Sequence, residues 1–167
     1  MMLYLCRHAV AAEGDGKNAD AERPLTSEGI AKFRKAATGF LETAPQVRQI
    51  YSSPALRARQ TAGILQEVFA RQKIDVRVTI TEALGLSRPT LQAFMKELRA
   101  LKKTPAIVAV GHEPTLSGWI AALCFGASVA CRLEMKKGAI AAIELEDKKM
   151  TGTLVGLYGP KVLRALR

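Results

Sequence analysis

The chain has 167 residues, 49% of them hydrophobic and 24% charged. At about 150 residues per domain it reads as a single domain over 1–167, and it should bury roughly 70% of its unfolded surface without needing disulfides or metal. This composition excludes an intrinsically disordered chain, no apolar run approaches the ~20 residues of a membrane span, and the formal net charge of +10 suits contact with anions.

The first segment, Met2 to Cys6, is short, apolar and bounded by charge, and reads as a buried strand. No basic region with a long apolar stretch precedes Arg7, so no secretory signal is expected. A polar loop follows from about Ala11 to Ala21. Thr26 or Ser27 can cap a helix, with Glu28 favourable in its first turn. Ile30, Phe33, Ala37, Phe40 and Leu41 recur at helical spacing, so this helix should run to about Glu42, and Pro45 helps to end it. Val47 to Tyr51 predicts a second strand. Pro54 is expected to open a second helix, with Ala58, Ala62, Leu65 and Phe69 as its buried stripe.

Ile74 to Ile80 alternates apolar with polar and suggests an outer strand. Leu91, Phe94, Met95, Leu98 and Leu101 predict a third helix. Ala106 to Val110 is nearly all apolar, as a central parallel strand would be. Pro114 sits at the start of a fourth helix carrying Leu116, Trp119, Ile120 and Leu123. Further strands are expected at Arg132–Met135, Ala139–Leu145 and Thr153–Tyr158. Strands alternating with helices predict an α/β protein, a three-layer α/β/α sandwich around a mostly parallel sheet.

The three cysteines, Cys6, Cys124 and Cys131, form no framework pattern and read as reduced thiols of a cytoplasmic protein. The bases are spread along the chain with no block of five or six, which favours a solvated surface with a modest pull on anions.

The two histidines carry the functional signal. His8 follows one apolar strand and His112 follows another. Ligands of open α/β sheets bind outside the carboxyl ends of the strands, so both imidazoles are expected to face one crevice. A third segment, from Tyr51 to Ala62, also follows a strand and opens a helix, whose N-terminus favours anions. Arg57 in its first turn is suited to gripping phosphoryl oxygens in bidentate fashion, whereas Arg59 reads as a solvated helix charge.

These segments together resemble the histidine phosphatase superfamily, also called phosphoglycerate-mutase-like. The matching stretches are Leu5-Cys6-Arg7-His8-Ala9, Ser52-Ser53-Pro54 followed by Arg57, Gln60-Thr61-Ala62, and Val110-Gly111-His112-Glu113. Arg23-Pro24-Leu25-Thr26 with Gly29, and the small size, look most like its SixA-type phosphohistidine phosphatase branch. Ala9 stands where many members carry Gly, a mild change.

The resemblance implies a metal-independent phosphatase without a cofactor. His8 would be the nucleophile, forming a transient phosphohistidine that water hydrolyses. Arg7, Arg57 and a protonated His112 would hold the phosphoryl oxygens. Arg23 could join them from the long loop, or form an ordinary salt bridge there. Glu82 falls where many members place a general acid, and is equally readable as a surface residue. Glu113 is a weaker candidate acid that can instead favour a helix start. Imidazole is a better leaving group than an alkoxide, so a site with a weak acid still suits phosphohistidine.

The expected substrate is therefore phosphohistidine on a signalling or phosphotransfer protein, with no nucleic-acid or membrane partner. The alternatives are a small phosphoester, such as a sugar phosphate or nucleotide, and a non-catalytic phospho-ligand or RNA-binding module. The low aromatic content, 5%, leaves little for base stacking. No cysteine has Arg at the spacing of a cysteine-dependent phosphatase, and Gly14 to Asn18 does not match a nucleotide-binding P-loop. Cys6, His8 and His112 lack an evident fourth ligand for zinc.

Overall fold

A computed structural model describes residues 1–14, 20–101, 104–126, 132–146 and 151–166. Residues 15–19 of the polar loop, which include most of the Gly14–Asn18 stretch, and Cys131 lie outside the described residues.

Six strands form one sheet: β1 (Met2–Arg7), β2 (Val47–Ser52), β3 (Arg77–Ile80), β4 (Ala106–Gly111), β5 (Ile140–Leu145) and β6 (Gly152–Tyr158). Their spatial order is β3-β2-β4-β1-β5-β6. The first three pairings in that order are parallel, and β5 runs antiparallel to both β1 and β6. The helices are α1 (Ser27–Thr43), α2 (Leu56–Arg71), α3 (Leu91–Arg99), α4 (Thr115–Cys124) and α5 (Pro160–Ala165).

Alternation along the central strands separates two cores. Tyr4 and Cys6 of β1, with Val108 and Val110 of β4, face Phe33, Phe40, Leu65 and Phe69 of α1 and α2. Leu3 and Leu5, with Ile107 and Ala109, face Phe94, Leu98, Trp119 and Ile120 of α3 and α4. β4 is buried at every position, as its unbroken apolar run predicted.

Local caps follow the sequence closely. Thr26 caps α1, its hydroxyl accepting from the Gly29 N–H at 2.9 Å. Gly29 is required by packing: a Cβ there would lie 2.2 Å from the Val10 carbonyl oxygen. Helix α1 is thus pressed onto the turn that follows His8.

Three expected boundaries shift. Helix α2 begins at Leu56 with Ala55 as its cap, two residues after Pro54. The outer strand is only Arg77–Ile80. Its expected start at Ile74–Val76 lies outside the ladder, and the Val76 carbonyl instead accepts from Gln66 Nε2 at 2.8 Å. Arg132–Met135 is not a strand. Met135 is buried there, but its backbone groups bond to side chains: the carbonyl accepts from Arg7 and the N–H donates to Glu113.

Candidate active site

The parallel pairing of β2, β4 and β1 places their carboxyl ends side by side. The chain extends that alignment one step past each outer strand. The His8 N–H donates to the Gly111 carbonyl at 3.0 Å, and the Ser53 N–H donates to the Val110 carbonyl at 3.0 Å. His8, Ser53 and His112 are therefore neighbours because of the sheet register. The two imidazole centroids are 5.1 Å apart.

His8, His112 and Arg57 are 7%, 6% and 4% exposed. The Ala9 carbonyl lies 2.7 Å from His8 Nδ1. A carbonyl only accepts, so Nδ1 carries the proton and Nε2 the lone pair. Arg57 Nε–H donates to that Nε2 at 3.3 Å. Burial, opposed by the hydrogen bond to Ala9 and reinforced by His112, Arg57 and Arg7, pushes the His8 pKa down to about 3. The imidazole is neutral at pH 7 and offers a nucleophilic nitrogen.

His112 Nε2 lies 2.8 Å from Ser53 Oγ. Ser53 Oγ already accepts from the Ala55 N–H at 3.2 Å. The assignment that leaves fewest groups unpaired has the Ser53 hydroxyl donating to Nε2. His112 Nδ1 then carries its proton and stays buried without a partner among the described residues. Burial first, and then the Arg57 and Arg7 charges, push the His112 pKa down to about 4, against the opposing effect of Asp20. Burial and the two guanidiniums thus oppose the protonated His112 expected from the sequence, and favour the neutral ring before an anion binds.

Arg7 ends β1, and its Nη1 donates to the Met135 carbonyl at 2.5 Å. Its Nε is buried and without a partner among the described residues. Buried, unpaired donors are costly, so Arg7 Nε–H and His112 Nδ1–H fit a site prepared for an anionic acceptor.

The polar loop supplies Asp20, a residue not singled out from the sequence. Arg57 Nη1 donates to the Asp20 carbonyl at 2.5 Å, and Arg57 Nη2 donates to Asp20 Oδ2 at 2.8 Å. Asp20 Oδ1 accepts from Arg23 Nη1 at 2.7 Å. Arg23 also donates to the Ala12 carbonyl at 2.8 Å. Hydrogen bonds from Arg23 and then Arg57 hold the Asp20 carboxyl below its usual range. Arg23 thus reaches the site through Asp20.

The motif residues beside Arg57 fix the backbone. Thr61 Oγ1 donates to the Arg57 carbonyl at 2.7 Å and accepts from the Ala9 N–H at 3.1 Å. Gln60 Oε1 accepts from the Leu25 N–H at 2.7 Å. Both hold the turn after β1 and the start of α1 against α2.

The two acidic candidates lie differently. Glu113 accepts from the Ser117 hydroxyl at 2.6 Å and from the Met135 N–H at 3.1 Å. It ties the start of α4 to the loop that also receives Arg7. Glu82 opens the short 3-10 turn Glu82–Leu84 after β3. That turn lies at the same sheet end, since the Thr81 N–H donates to the Ser52 carbonyl at 2.9 Å. The Glu82 side chain is exposed, close over Gly85, and makes no hydrogen bond among the described residues.

Cys6 is fully buried in the core against α1 and α2, and burial raises its thiol pKa far above the usual range. Among the described residues, no group of three or more His, Cys, Asp or Glu side chains could hold a metal ion. No helix among them is long and apolar enough to cross a membrane.

Residues 3–85 match the family model of the histidine phosphatase superfamily (branch 1). The chain is 33% identical over 142 residues to an uncharacterised protein of a Picosynechococcus species, covering 84% of this chain and 82% of that one. It is 26% identical over 150 residues to the phosphohistidine phosphatase SixA of Escherichia coli (strain K12), covering 88% and 87%. The solved structure of the protein histidine phosphatase SixA complexed with tungstate matches with a TM-score of 0.80 at 24% identity, covering 98% of this chain and 99% of that one. The chain belongs to the histidine phosphatase superfamily and is a phosphatase of that class.

Proposed function

We propose that the protein removes phosphate from phosphohistidine on another protein, without metal, through a covalent intermediate on His8. The observation that carries this reading is the tautomer of His8. The Nδ1–H···O bond to Ala9 leaves the Nε2 lone pair for attack beside the Arg57 guanidinium. The 3.3 Å contact from Arg57 Nε is long for a hydrogen bond. A charged phosphoryl oxygen competes for that N–H better than a neutral nitrogen does.

In the first step the Nε2 lone pair bonds to phosphorus and the P–N bond to the substrate imidazole breaks. The leaving imidazole takes a proton from water. In the second step water attacks the phosphorus on His8. The P–Nε2 bond breaks, releasing inorganic phosphate and returning the neutral ring. Arg7, Arg57 and His112 are assigned to the phosphoryl oxygens. The arriving negative charge favours the protonated form of His112, so the ring would gain charge where charge accumulates.

The preference for a P–N bond rests on the carboxylates. Asp20 is bound to two arginines and held ionised, which makes it a poor proton donor. Glu82 touches none of the site's imidazoles or guanidiniums. An alkoxide leaving group needs a positioned acid far more than imidazole does.

The test is phosphate release, with chelator present, from a phosphohistidine-bearing protein and from a panel of small phosphoesters, with His8→Ala as the blank. A His8-dependent preference for the phosphoprotein supports the reading. A His8-dependent preference for one ester would move the function to small-metabolite chemistry while keeping the nucleophile.

A further inference from the structure

A cavity of about 450 Å³ opens next to the turn that follows His8. Ala9 and Val10 form one wall, directly after the nucleophile, and the first turns of α1 form another. The loop before β5 and the corner between β6 and α5 close it. Phe33, Leu157 and Pro160 give it apolar surface.

Its charge is one-sided. Lys32, Lys136, Lys137, Lys161 and Arg164 line it, against a single acid, Glu134. Lys32 is paired with Glu28. Lys136, Lys137, Lys161 and Arg164 form no ion pair among the described residues. Lys136, Lys137 and Lys161 are exposed.

The cavity is also tied to the nucleophile. The Gly138 N–H lies 3.1 Å from both the Arg7 and His8 carbonyls. Ala9, which orients the His8 ring, is part of the wall. The cavity wall thus includes the two residues that follow His8 in the chain and the loop whose Gly138 N–H bonds to the Arg7 and His8 carbonyls. The volume exceeds what one phosphate needs and is ample for a few side chains.

We propose that this cleft is a docking surface for an acidic stretch of the phosphorylated partner protein, flanking its phosphohistidine. The inference rests on the phosphohistidine reading above. Carboxylates on the partner would meet the unpaired lysines, while its aliphatic stems and backbone would lie on Phe33, Leu157 and Pro160. Complementary charge of this kind speeds encounter and selects partners, and it weakens with salt.

The test compares two substrates on one enzyme: a phosphohistidine-carrying phosphotransfer protein of net negative charge, and phosphoramidate. The variant K136E/K137E/K161E reverses charge at exposed positions. KM for the phosphoprotein should rise about tenfold or more, while kcat/KM for phosphoramidate stays within about twofold. The neutral variant K136Q/K137Q/K161Q should fall between wild type and reversal. Added salt should depress wild-type turnover of the phosphoprotein and leave the reversed variant little changed.

An active wild type whose KM for the phosphoprotein is unmoved by charge reversal would overturn the docking surface alone. An equal loss on phosphoramidate would also overturn it, placing the lysines in the chemistry. A wild type that turns over phosphoramidate but not the phosphoprotein would sink the substrate reading and the docking surface with it. Competition by RNA, but not by a dephosphorylated acidic partner, would assign the cleft to a different ligand.

Discussion

Asp20 and Arg57 form an ion pair at 2.8 Å in which one partner is buried and the other exposed. The pair engages Arg57 Nη2, on the guanidinium that the proposed mechanism assigns to the phosphoryl oxygens. Asp20 therefore acts as an internal competitor for Arg57. Replacing it by Asn should tighten binding of inorganic phosphate. The exposed position of Asp20 limits the size of the effect to roughly 0.2–1 kcal/mol, or about 1.4- to fivefold in the inhibition constant. Product inhibition of Asp20→Asn against wild type measures it. Weaker phosphate binding would instead make Asp20 the residue that aims Arg57.

Ser53 is fully buried and serves two partners, His112 Nε2 and the Ala55 N–H. Ser53→Ala removes the hydroxyl from both and leaves them unsatisfied. A stability loss of about 1–3 kcal/mol is expected. The His112 tautomer is then no longer fixed, so kcat should also fall in the folded fraction. Urea denaturation, together with kcat measured well below the melting transition, separates the two effects. A variant that is less stable but keeps its kcat would restrict Ser53 to a structural role.

The histidines at the two strand ends were legible because the apolar runs before them are continuous, and period and position sufficed. The partners that tune them were not. Ser53 and Thr61 belong to recognisable motif segments, but their hydrogen bonds depend on the register of β2 against β4 and on how α2 meets the first turn. Asp20 was hidden in a polar loop, where an acid is ordinary until the fold brings Arg57 to it. Arg132–Met135 was misread as a strand because extended backbone and an apolar residue look the same whether the groups pair with a neighbouring strand or with Arg7 and Glu113. Ile74 to Val76 erred similarly, since alternation marks an extended face and not where the ladder begins.

Acid should destabilise the protein earlier than its carboxylates alone would require. Burial pushes the pKa values of His8 and His112 down to about 3 and about 4 in the folded chain, against 6.5 as their ordinary value. Between about pH 6.5 and 4 the unfolded chain binds protons that the folded chain does not. Stability is therefore fully present above pH 6.5 and falls as pH drops through that window. Each histidine contributes a slope of up to about 1.4 kcal/mol per pH unit. Asp20 acts in the same direction only below its ordinary value of 3.8, outside this window. Unfolding free energies at pH 7 and pH 5 should differ more in wild type than in the double variant His8→Asn, His112→Asn. Equal differences would mean that neither ring resists protonation.

Substitution of Glu82 tests what kind of leaving group the site accepts. Its side chain is exposed and unpaired among the described residues, at the sheet end that carries both histidines. If it protonates the leaving atom, Glu82→Gln should slow every phosphoester by about two to four orders of magnitude, the usual worth of a positioned acid. Phosphoramidate and phosphohistidine, whose nitrogen leaves readily, would be slowed far less. The phosphohistidine reading expects Glu82→Gln to keep phosphoramidate turnover within about twofold, with ester turnover already low in wild type. Parallel kcat measurements on phosphoramidate and an alkyl phosphate give the split directly. A large loss on phosphoramidate would make Glu82 an acid for the P–N bond as well and remove the argument from leaving-group quality.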